Sequence, residues 1–94
     1  MPEDNKRKNL HLHLVNPRGV VFDKDVDSVT LPGKDGQLTV LRGHVSLLTS
    51  LKKGTIFYKE KTDREKEIVE HFNIGAGLAE VSENLITVIV SDKN

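Results

Sequence analysis

Three aspartates alternate along one short stretch of the chain, as they do at the start of a calcium-binding loop. They are Asp23, Asp25 and Asp27. A loop of the EF-hand type requires a glycine at its sixth position, for the turn, and a bidentate glutamate at its twelfth. Ser28 and Lys34 occupy those positions, and the lysine would bring a positive charge where a ligand is needed. The alternation therefore predicts an exposed strand face rather than a calcium site.

Two histidines, His11 and His13, lie two positions apart and would share one face of a strand. Two imidazoles can begin a zinc site, but protein zinc sites usually have three or four ligands. The sequence gives no reason to place the other histidines, His44 and His71, beside them. We therefore expect His11 and His13 to form the outer face of the first strand, and we expect no metal and no cofactor.

The hydroxyl side chains lack the surroundings that nucleophilic catalysis requires. No Gly-x-Ser-x-Gly elbow surrounds Ser28, Ser46, Thr49 or Ser50. The chain has no cysteine, which excludes thiolate nucleophiles and disulfides. The run Gly75–Gly77 is too short for a phosphate-binding loop and predicts a bulge or a tight strand junction. These exclusions favour a protein-binding module over an enzyme, with a small-ligand or metal-binding β module as the alternative.

The composition describes one small domain with no preference for polyanions. The chain has 94 residues, and its 14 Lys and Arg balance 14 Asp and Glu, so the formal net charge is zero. A neutral chain has no long-range field to hold nucleic acid. No apolar run approaches the roughly 20 residues that span a bilayer, and the N-terminus has no apolar segment of the signal-peptide kind. We expect no direct membrane insertion and a cytoplasmic location.

Hydrophobic periodicity predicts an all-β fold. Leu10, Leu12 and Leu14 alternate with histidines, which places the leucines on one face of a strand. Short strands of this kind recur between turns such as 16–19 and 32–36, where proline and glycine favour reversal. The pattern indicates about nine or ten short strands in a β-sandwich or barrel, with little or no helix.

The organisation of the chain follows from the same pattern. We expect a polar leader at 1–8, a folded domain at 9–91 and a short tail at 92–94. Residues 62–71 contain good helix formers, but the β elements on both sides favour a strand with a charged turn. The run 85–90 is apolar almost throughout, which predicts a strand buried on both faces.

Several stretches of the sequence match a known family. The segment 12–22 reads LHLVNPRGVVF, and the segment 26–54 contains Gly-x-x-Gly-x-Leu, then Gly-His-x-x-Leu-Leu-Thr, then a small basic turn with glycine. The stretches 78–81 and 86–88 are similar to a closing hairpin. Together they resemble the epsilon subunit of F-type ATP synthases, and the Gly-His-x-x-Leu-Leu-Thr motif is the most specific part of the resemblance.

The resemblance implies a flattened sandwich of about ten short strands and a place in the rotor. A subunit of this family does not catalyse; it binds the central-stalk gamma subunit on one surface and the ring of c subunits with the loops at one end. It would lie peripherally at the inner face of the bacterial plasma membrane. The positions that match the gamma-binding surface are Asn16, His44 and Thr49. The positions assigned to the c-ring surface are Gly33, Lys34, Asp35, Gly36, Gln37 and Arg42.

The chain departs from the family pattern in ways that affect function. Gln37 stands where the family often has an acidic residue, which removes a charge-assisted hydrogen bond to a basic ring loop. Arg42 and Ser46 replace prolines, which loosens the loop in the unfolded state. Many members also carry a C-terminal helical hairpin, whereas the sequence ends at 91–94 with no room for two helices. We therefore expect the hairpin's inhibitory and nucleotide-binding roles to be missing.

Overall fold

The computed structural model describes residues 9–44, 46–60 and 69–91. These residues form eight strands and contain no helix. The strands are β1 (Leu10–Asn16), β2 (Gly19–Gly33), β3 (Gly36–Leu41), β4 (Leu47–Leu51), β5 (Gly54–Glu60), β6 (Val69–Ile74), β7 (Gly77–Ser82) and β8 (Leu85–Val90). The all-β prediction is confirmed. The expected leader, the tail and the charged turn within 62–71 lie outside the described residues, except that 69–71 are strand as expected.

The longest strand, β2, pairs with β1 through its first half and with β5 through its second half. It has 15 residues and serves both layers of the fold. Val26 pairs with Leu10 of β1 and also with Glu60 of β5. The register with β5 shifts between Val26 and Ser28. Such a bulge reverses the alternation of side chains, so that Val26 and Val29 both point into the core while the strand bends from one layer to the other.

Strand pairing defines two layers. The first layer consists of the first half of β2, then β1, β8, β7 and β4, and the second consists of β3, the second half of β2, β5 and β6. The pairing of β1 with β8 is parallel, and the other pairings are antiparallel. All eight strands contribute buried apolar residues to the single core between the layers.

The core is aliphatic with one aromatic cluster. Leu10, Leu12 and Leu14 are buried, which confirms the predicted inward face of β1. The Phe22 and Tyr58 rings lie 4.7 Å apart between centroids, and Phe72 completes the cluster at 5.3 Å from Phe22. Each fully buried side chain of this size contributes about 1.5–3 kcal/mol to folding. The prediction that the strand at 85–90 is buried on both faces is wrong for its outer face, because Leu85 and Thr87 are half-buried and Ile89 is exposed.

Two junctions fix the register of the first layer. A Cβ atom on Gly77 would collide with the backbone carbonyl of Ile89, so the prediction of a tight junction at Gly75–Gly77 is confirmed. The β7–β8 turn places Glu83 and Asn84 at φ values of 51° and 66°, as a two-residue hairpin turn requires. The Asn84 side-chain oxygen accepts a hydrogen bond from the backbone N–H of Gly43 at 2.7 Å.

Candidate interaction surfaces

The outer face of the first layer carries a continuous row of apolar side chains. Val20 pairs with Val15, Val15 with Ile89, and Ile89 with Leu78, so the four lie side by side across four strands. Leu48 on β4 is diagonal to Leu78, because it pairs with Glu80 two positions further along β7. We call these five residues the apolar stripe: Val15, Val20, Leu48, Leu78 and Ile89.

The apolar stripe is exposed to solvent. The exposed fractions are 61% for Val20, 72% for Leu48, 49% for Leu78 and 54% for Ile89, and Val15 is half-buried. Single exposed apolar residues are normal, but a contiguous exposed patch is typical of a protein–protein contact. The stripe is therefore a candidate interface.

The next two rows on the same face are mostly polar, and their apolar members are Leu48 and Leu85. In the second row, paired residues of β2, β1, β8 and β7 lie opposite one another: Asp23, His13, Thr87 and Glu80. In the third row, Asp25 lies opposite His11. The prediction of exposed aspartates on one strand face is confirmed for Asp23, Asp25 and Asp27. The prediction that His11 and His13 lie on the outer face of β1 is also confirmed.

The contacts between these histidines and aspartates were not predicted from the sequence. His11 Nε2 lies 2.5 Å from Asp23 Oδ1, and His11 Nδ1 lies 2.7 Å from Asp25 Oδ1. His13 Nδ1 lies 3.3 Å from the same Asp23 oxygen. The hydrogen bond with His11 lowers the pKa of the Asp23 carboxyl below its ordinary value. The alternation His-x-His and Asp-x-Asp on either side of the 16–19 turn was the signal that could have predicted these pairs.

The three residues predicted to face gamma do not form one cluster. Asn16 follows Val15 of the stripe, and its side-chain oxygen accepts a hydrogen bond from the Arg18 N–H at 2.8 Å. Thr49 follows Leu48 but lies on the core-facing side of β4, where it pairs with Ala79. Asn16 is therefore next to the stripe at the end of β1, whereas the Thr49 side chain points to the opposite side of the sheet from the stripe. The assignment of these residues to gamma stays a prediction.

His44 lies near the opposite end of this layer. Its backbone N–H donates to the carbonyl of Leu41 at 3.1 Å, and the neighbouring Gly43 is tied to Asn84 in the β7–β8 turn. Leu78 and Asn84 are separated by most of β7, about 13 Å or more at the rise of a strand. His44 therefore contributes to a gamma surface only if that surface extends along the strands beyond the stripe.

Five of the residues predicted to face the c-ring come together in the β2–β3 hairpin. Gly33 pairs with Gly36, Lys34 and Asp35 form the exposed turn, and Gln37 follows at the start of β3. A Cβ atom on Gly33 would lie 2.6 Å from the Gly36 carbonyl oxygen, and Gly36 has a φ of 135°. Both positions therefore favour glycine.

This hairpin is fastened to β4 by backbone hydrogen bonds. The Lys34 N–H donates to the Ser50 carbonyl at 2.9 Å, and the Lys52 N–H donates to the Pro32 carbonyl at 3.0 Å. These two bonds flank Gly33 on the β2 arm of the hairpin, and they restrict the motion of that arm relative to β4. The sixth predicted residue, Arg42, is elsewhere: it follows Leu41, which pairs with Ser28 at the far end of β3.

The metal-binding alternative is not favoured by the described side chains. In 9–44, 46–60 and 69–91, no three His, Asp or Glu side chains are arranged to hold a metal ion. An open cavity of about 310 Å³ lies between the β1–β2 hairpin and β6, with Leu14, Phe72 and Val90 among its apolar lining residues. Its openness to solvent gives a small ligand little enclosure.

Comparison with known proteins identifies the family. The family model described as the ATP synthase delta/epsilon chain, beta-sandwich domain, matches residues 9–93. This chain belongs to that family. Curated relatives named ATP synthase epsilon chain include one from Campylobacter jejuni subsp. doylei, which is 45% identical over 80 residues, and one from Campylobacter curvus, which is 40% identical over 80 residues. The relative from Nitratidesulfovibrio vulgaris is 37% identical over 82 residues.

The matches cover only part of the length of these relatives. The match to the Campylobacter jejuni relative covers 85% of this chain and 59% of the relative. The chain thus spans less than two thirds of the length of these family members.

Two solved structures share the fold. A chain of the mitochondrial ATP synthase central stalk and c-ring from Tetrahymena thermophila has a TM-score of 0.75, with 94% of this chain and 67% of that chain covered. A chain of the Euglena gracilis mitochondrial ATP synthase has a TM-score of 0.78, with 95% and 54% covered. Sequence identity is 19% in both cases, so these likenesses support the fold of the family alone.

Proposed function

We propose that this chain is the sandwich domain of a non-catalytic rotor subunit in the central stalk of an F-type ATP synthase. In this role it binds the gamma subunit and the c-ring, and it helps them turn together during proton- or sodium-driven ATP synthesis. Family membership supports the role, and the apolar stripe is the observation that carries it, because a domain held permanently between partners requires a contiguous apolar contact surface.

We assign the gamma contact to the apolar stripe. Its side chains occupy a sheet face rather than a loop, and Asn16, which matches a gamma-facing position of the family, directly follows Val15 at one end of it. An interface of this kind draws most of its affinity from a few central apolar anchors, and Leu78 and Ile89 lie at the centre of the row. Stripe residues should therefore determine the affinity for gamma.

We assign the c-ring contact to the turn at Lys34 and Asp35. Transmission of torque requires a contact that does not bend, and the two backbone hydrogen bonds that fasten this hairpin to β4 supply that stiffness. The close-packed core then joins this turn to the stripe through β4, which carries Leu48 and Ser50. The domain thereby connects two partners through one rigid unit.

The proposed location follows from these contacts. The domain lies at the inner face of the bacterial plasma membrane, and it is held there by gamma and the c-ring. No helix long and apolar enough to cross a bilayer occurs in the part of the chain that the structure describes.

The gamma assignment is tested by binding of purified gamma to matched variants. Leu78→Ser with Ile89→Ser removes the centre of the stripe. The control, Leu41→Ser with Val69→Ser, removes residues that are each 56% exposed on the second layer. We expect the stripe variant to bind gamma about 100-fold more weakly, at about 1.4 kcal/mol for each anchor, and the control to bind normally. Equal losses in the two variants contradict the assignment.

The individual gamma positions need their own measurement. His44→Ala together with Thr49→Ala should weaken gamma binding if both residues reach the partner. An unchanged affinity removes them from the surface and leaves the stripe as the contact. His44 and Leu78 are separated by most of the length of β7. The single variants His44→Ala and Thr49→Ala should therefore show which of these two residues contacts gamma.

The c-ring assignment is tested with isolated c-ring in detergent. We expect Lys34→Ala with Asp35→Ala to lose c-ring binding while gamma binding is kept, because the turn lies outside the stripe. Lys24→Ala, an exposed lysine on another part of β2, is the control. Arg42→Ala distinguishes the ends of β3: full c-ring binding by this variant shows that Arg42 is not part of the surface.

A further inference from the structure

His11 makes an unusual pair of contacts on the outer face of the first layer. Each of its two ring nitrogens lies within hydrogen-bonding distance of a carboxylate oxygen, Asp23 at 2.5 Å and Asp25 at 2.7 Å. The His11 side chain is 18% exposed, whereas the two aspartates are 50% and 45% exposed. One half-buried imidazole therefore bridges two acidic side chains of the neighbouring strand.

This geometry determines the protonation state of the imidazole. A neutral imidazole has one N–H donor and one acceptor nitrogen, whereas an ionised carboxylate only accepts. Two simultaneous hydrogen bonds to carboxylates require both ring nitrogens of His11 to donate, so the ring is the imidazolium cation. In the neutral ring, one nitrogen lone pair would point at a carboxylate oxygen, and that contact is repulsive.

The other groups near His11 fit this assignment. On β1 itself, His13 also approaches the Asp23 carboxylate at 3.3 Å, and Asn9 donates to Asp25 at 3.3 Å. On the other side, β8 places Leu85 opposite His11, and β7 carries Glu80 opposite Thr87 in the next row. The β7–β8 turn carries Glu83 beside Asn84, whose backbone carbonyl accepts a hydrogen bond from the His11 N–H at 2.8 Å. Asp23 and Asp25 are thus the groups in contact with His11 that stabilise a positive charge on its ring.

We propose that His11 and the carboxylates of Asp23 and Asp25 form a proton-operated clasp between β1 and the first half of β2. Uptake of a proton by His11 closes both hydrogen bonds, and its loss opens one of them. The clasp lies on the same face as the apolar stripe, with His13 two positions from Val15 on β1. This device goes beyond the proposed function and does not depend on it.

The sign of the pH dependence is fixed by which state binds the proton. A group that binds its proton more tightly in the folded state stabilises the fold at low pH, and this stabilisation is lost as the pH rises through the folded-state midpoint. Unperturbed histidine titrates near about 6.5. Asp23 has the opposite dependence, because its pKa is lowered in the folded state. Its ionised carboxylate stabilises the fold when the pH is above the pKa of the unfolded state. This stabilisation is lost as the pH falls through the folded-state pKa. The clasp is therefore closed in the interval between the two titrations.

The first test is an NMR titration of the wild-type imidazoles, which needs no variant. We expect the His11 ring resonances to titrate with a midpoint above the about 6.5 of an unperturbed histidine, because both carboxylates favour the imidazolium. A midpoint at or below that value overturns the proposal. Stabilisation by added Zn²⁺ that requires Asp23 also overturns it, because the cluster would then be a metal site.

The second test compares unfolding stability across pH in two matched variants. Asp23→Asn with Asp25→Asn replaces both carboxylates with neutral amides and so removes the negative charges that favour the imidazolium, whereas Asp27→Asn removes an exposed carboxylate of the same strand. We expect wild type and Asp27→Asn to lose stability between pH 6 and pH 8, and the double variant to lose the dependence. The same pH slope in all three proteins overturns the proposal. If the double variant does not fold, Asp25→Asn alone should halve the slope and lower the His11 midpoint.

Discussion

The two outer faces of this sandwich follow the same alternation of side chains but differ in where their apolar residues lie. On the first layer, Val15, Ile89 and Leu78 stand directly opposite one another on paired strands. On the second layer, Leu41 and Val69 occupy one row, but Ser28 and Lys59 separate them. Phe57, which is 40% exposed, lies diagonal to Val69, because it pairs with His71 two positions further along β6. The exposed apolar side chains thus run across five strands on the first face, whereas on the second they form one pair and one separate residue.

The polar residues differ in a corresponding way. The second layer satisfies its outer polar groups within the sheet, as in the hydrogen bond between Thr30 and Thr39 at 3.0 Å and the bond from Thr55 to Asn73 at 2.9 Å. The first layer has charged contacts from His11 next to the apolar stripe. The cited outer polar contacts of the second layer therefore join neutral side chains, whereas those of the first layer involve charged carboxylates.

The largest expected effect on stability is a difference between substitutions on the inner and the outer face of β8. Ile86 is fully buried, whereas Ile89 on the same strand is 54% exposed. We expect Ile86→Ala to lower the free energy of unfolding by about 2–5 kcal/mol through the cavity it creates. Ile89→Ala should change it by about 0.5 kcal/mol or less, as surface substitutions do. Urea unfolding measures both, and comparable losses would show that the stripe belongs to the core.

The next largest effect on stability is expected at Gly77, where β7 approaches β8 and aligns Leu78 with Ile89. Gly77→Ala places a methyl group against the backbone of Ile89 and Val90. Because backbone cannot move aside cheaply, we expect a loss of about 1–3 kcal/mol. The neighbouring exposed residue supplies a control, since Ala76→Ser should be nearly neutral. Equal stability of the two variants in urea would mean that β7 and β8 do not approach as described.

A smaller effect is expected on the second layer. Thr30→Val and Thr39→Val each remove one partner of a cross-strand hydrogen bond. A double-mutant cycle in urea should give a coupling of about 0.2–1 kcal/mol, and gamma binding should be unchanged in all three variants. Weaker gamma binding by these variants would undermine the distinction between the two faces.

The smallest effect is expected from acid titration of Asp23. Its lowered pKa means that the ionised carboxyl stabilises the fold above pH 4 and that this contribution is lost as the pH falls further. We expect wild type to lose more stability than Asp23→Asn between pH 4 and pH 2, as measured by thermal unfolding. Asp27→Asn serves as the control on the same strand, and it should behave like wild type.

The sequence predicted much of the fold because the relevant signals are local. The alternation of Leu10, Leu12 and Leu14 and the glycine-containing turns are read within a few residues, and they predicted the inward face of β1 and the β2–β3 hairpin. The family motif then predicted the sandwich. These signals did not show that β2 is continuous, because the bulge after Val26 interrupts the alternation on which strand prediction depends.

The apolar stripe could not be predicted from the sequence for a related reason. Its members come from five strands, and their alignment depends on the parallel pairing of β1 with β8, which are separated by most of the chain. No local pattern states that Val15 lies beside Ile89. The same limit applies to Arg42, which is close to Gln37 in sequence but lies at the other end of β3.

The most direct test of the stripe as the gamma interface is methyl NMR of this chain during titration with purified gamma. We expect the methyl resonances of Leu48, Leu78 and Ile89 to shift or broaden, and those of Leu41 and Val69 to remain unchanged. Perturbation of Leu41 and Val69 with an unaffected stripe would contradict the account, because gamma would then bind the second layer.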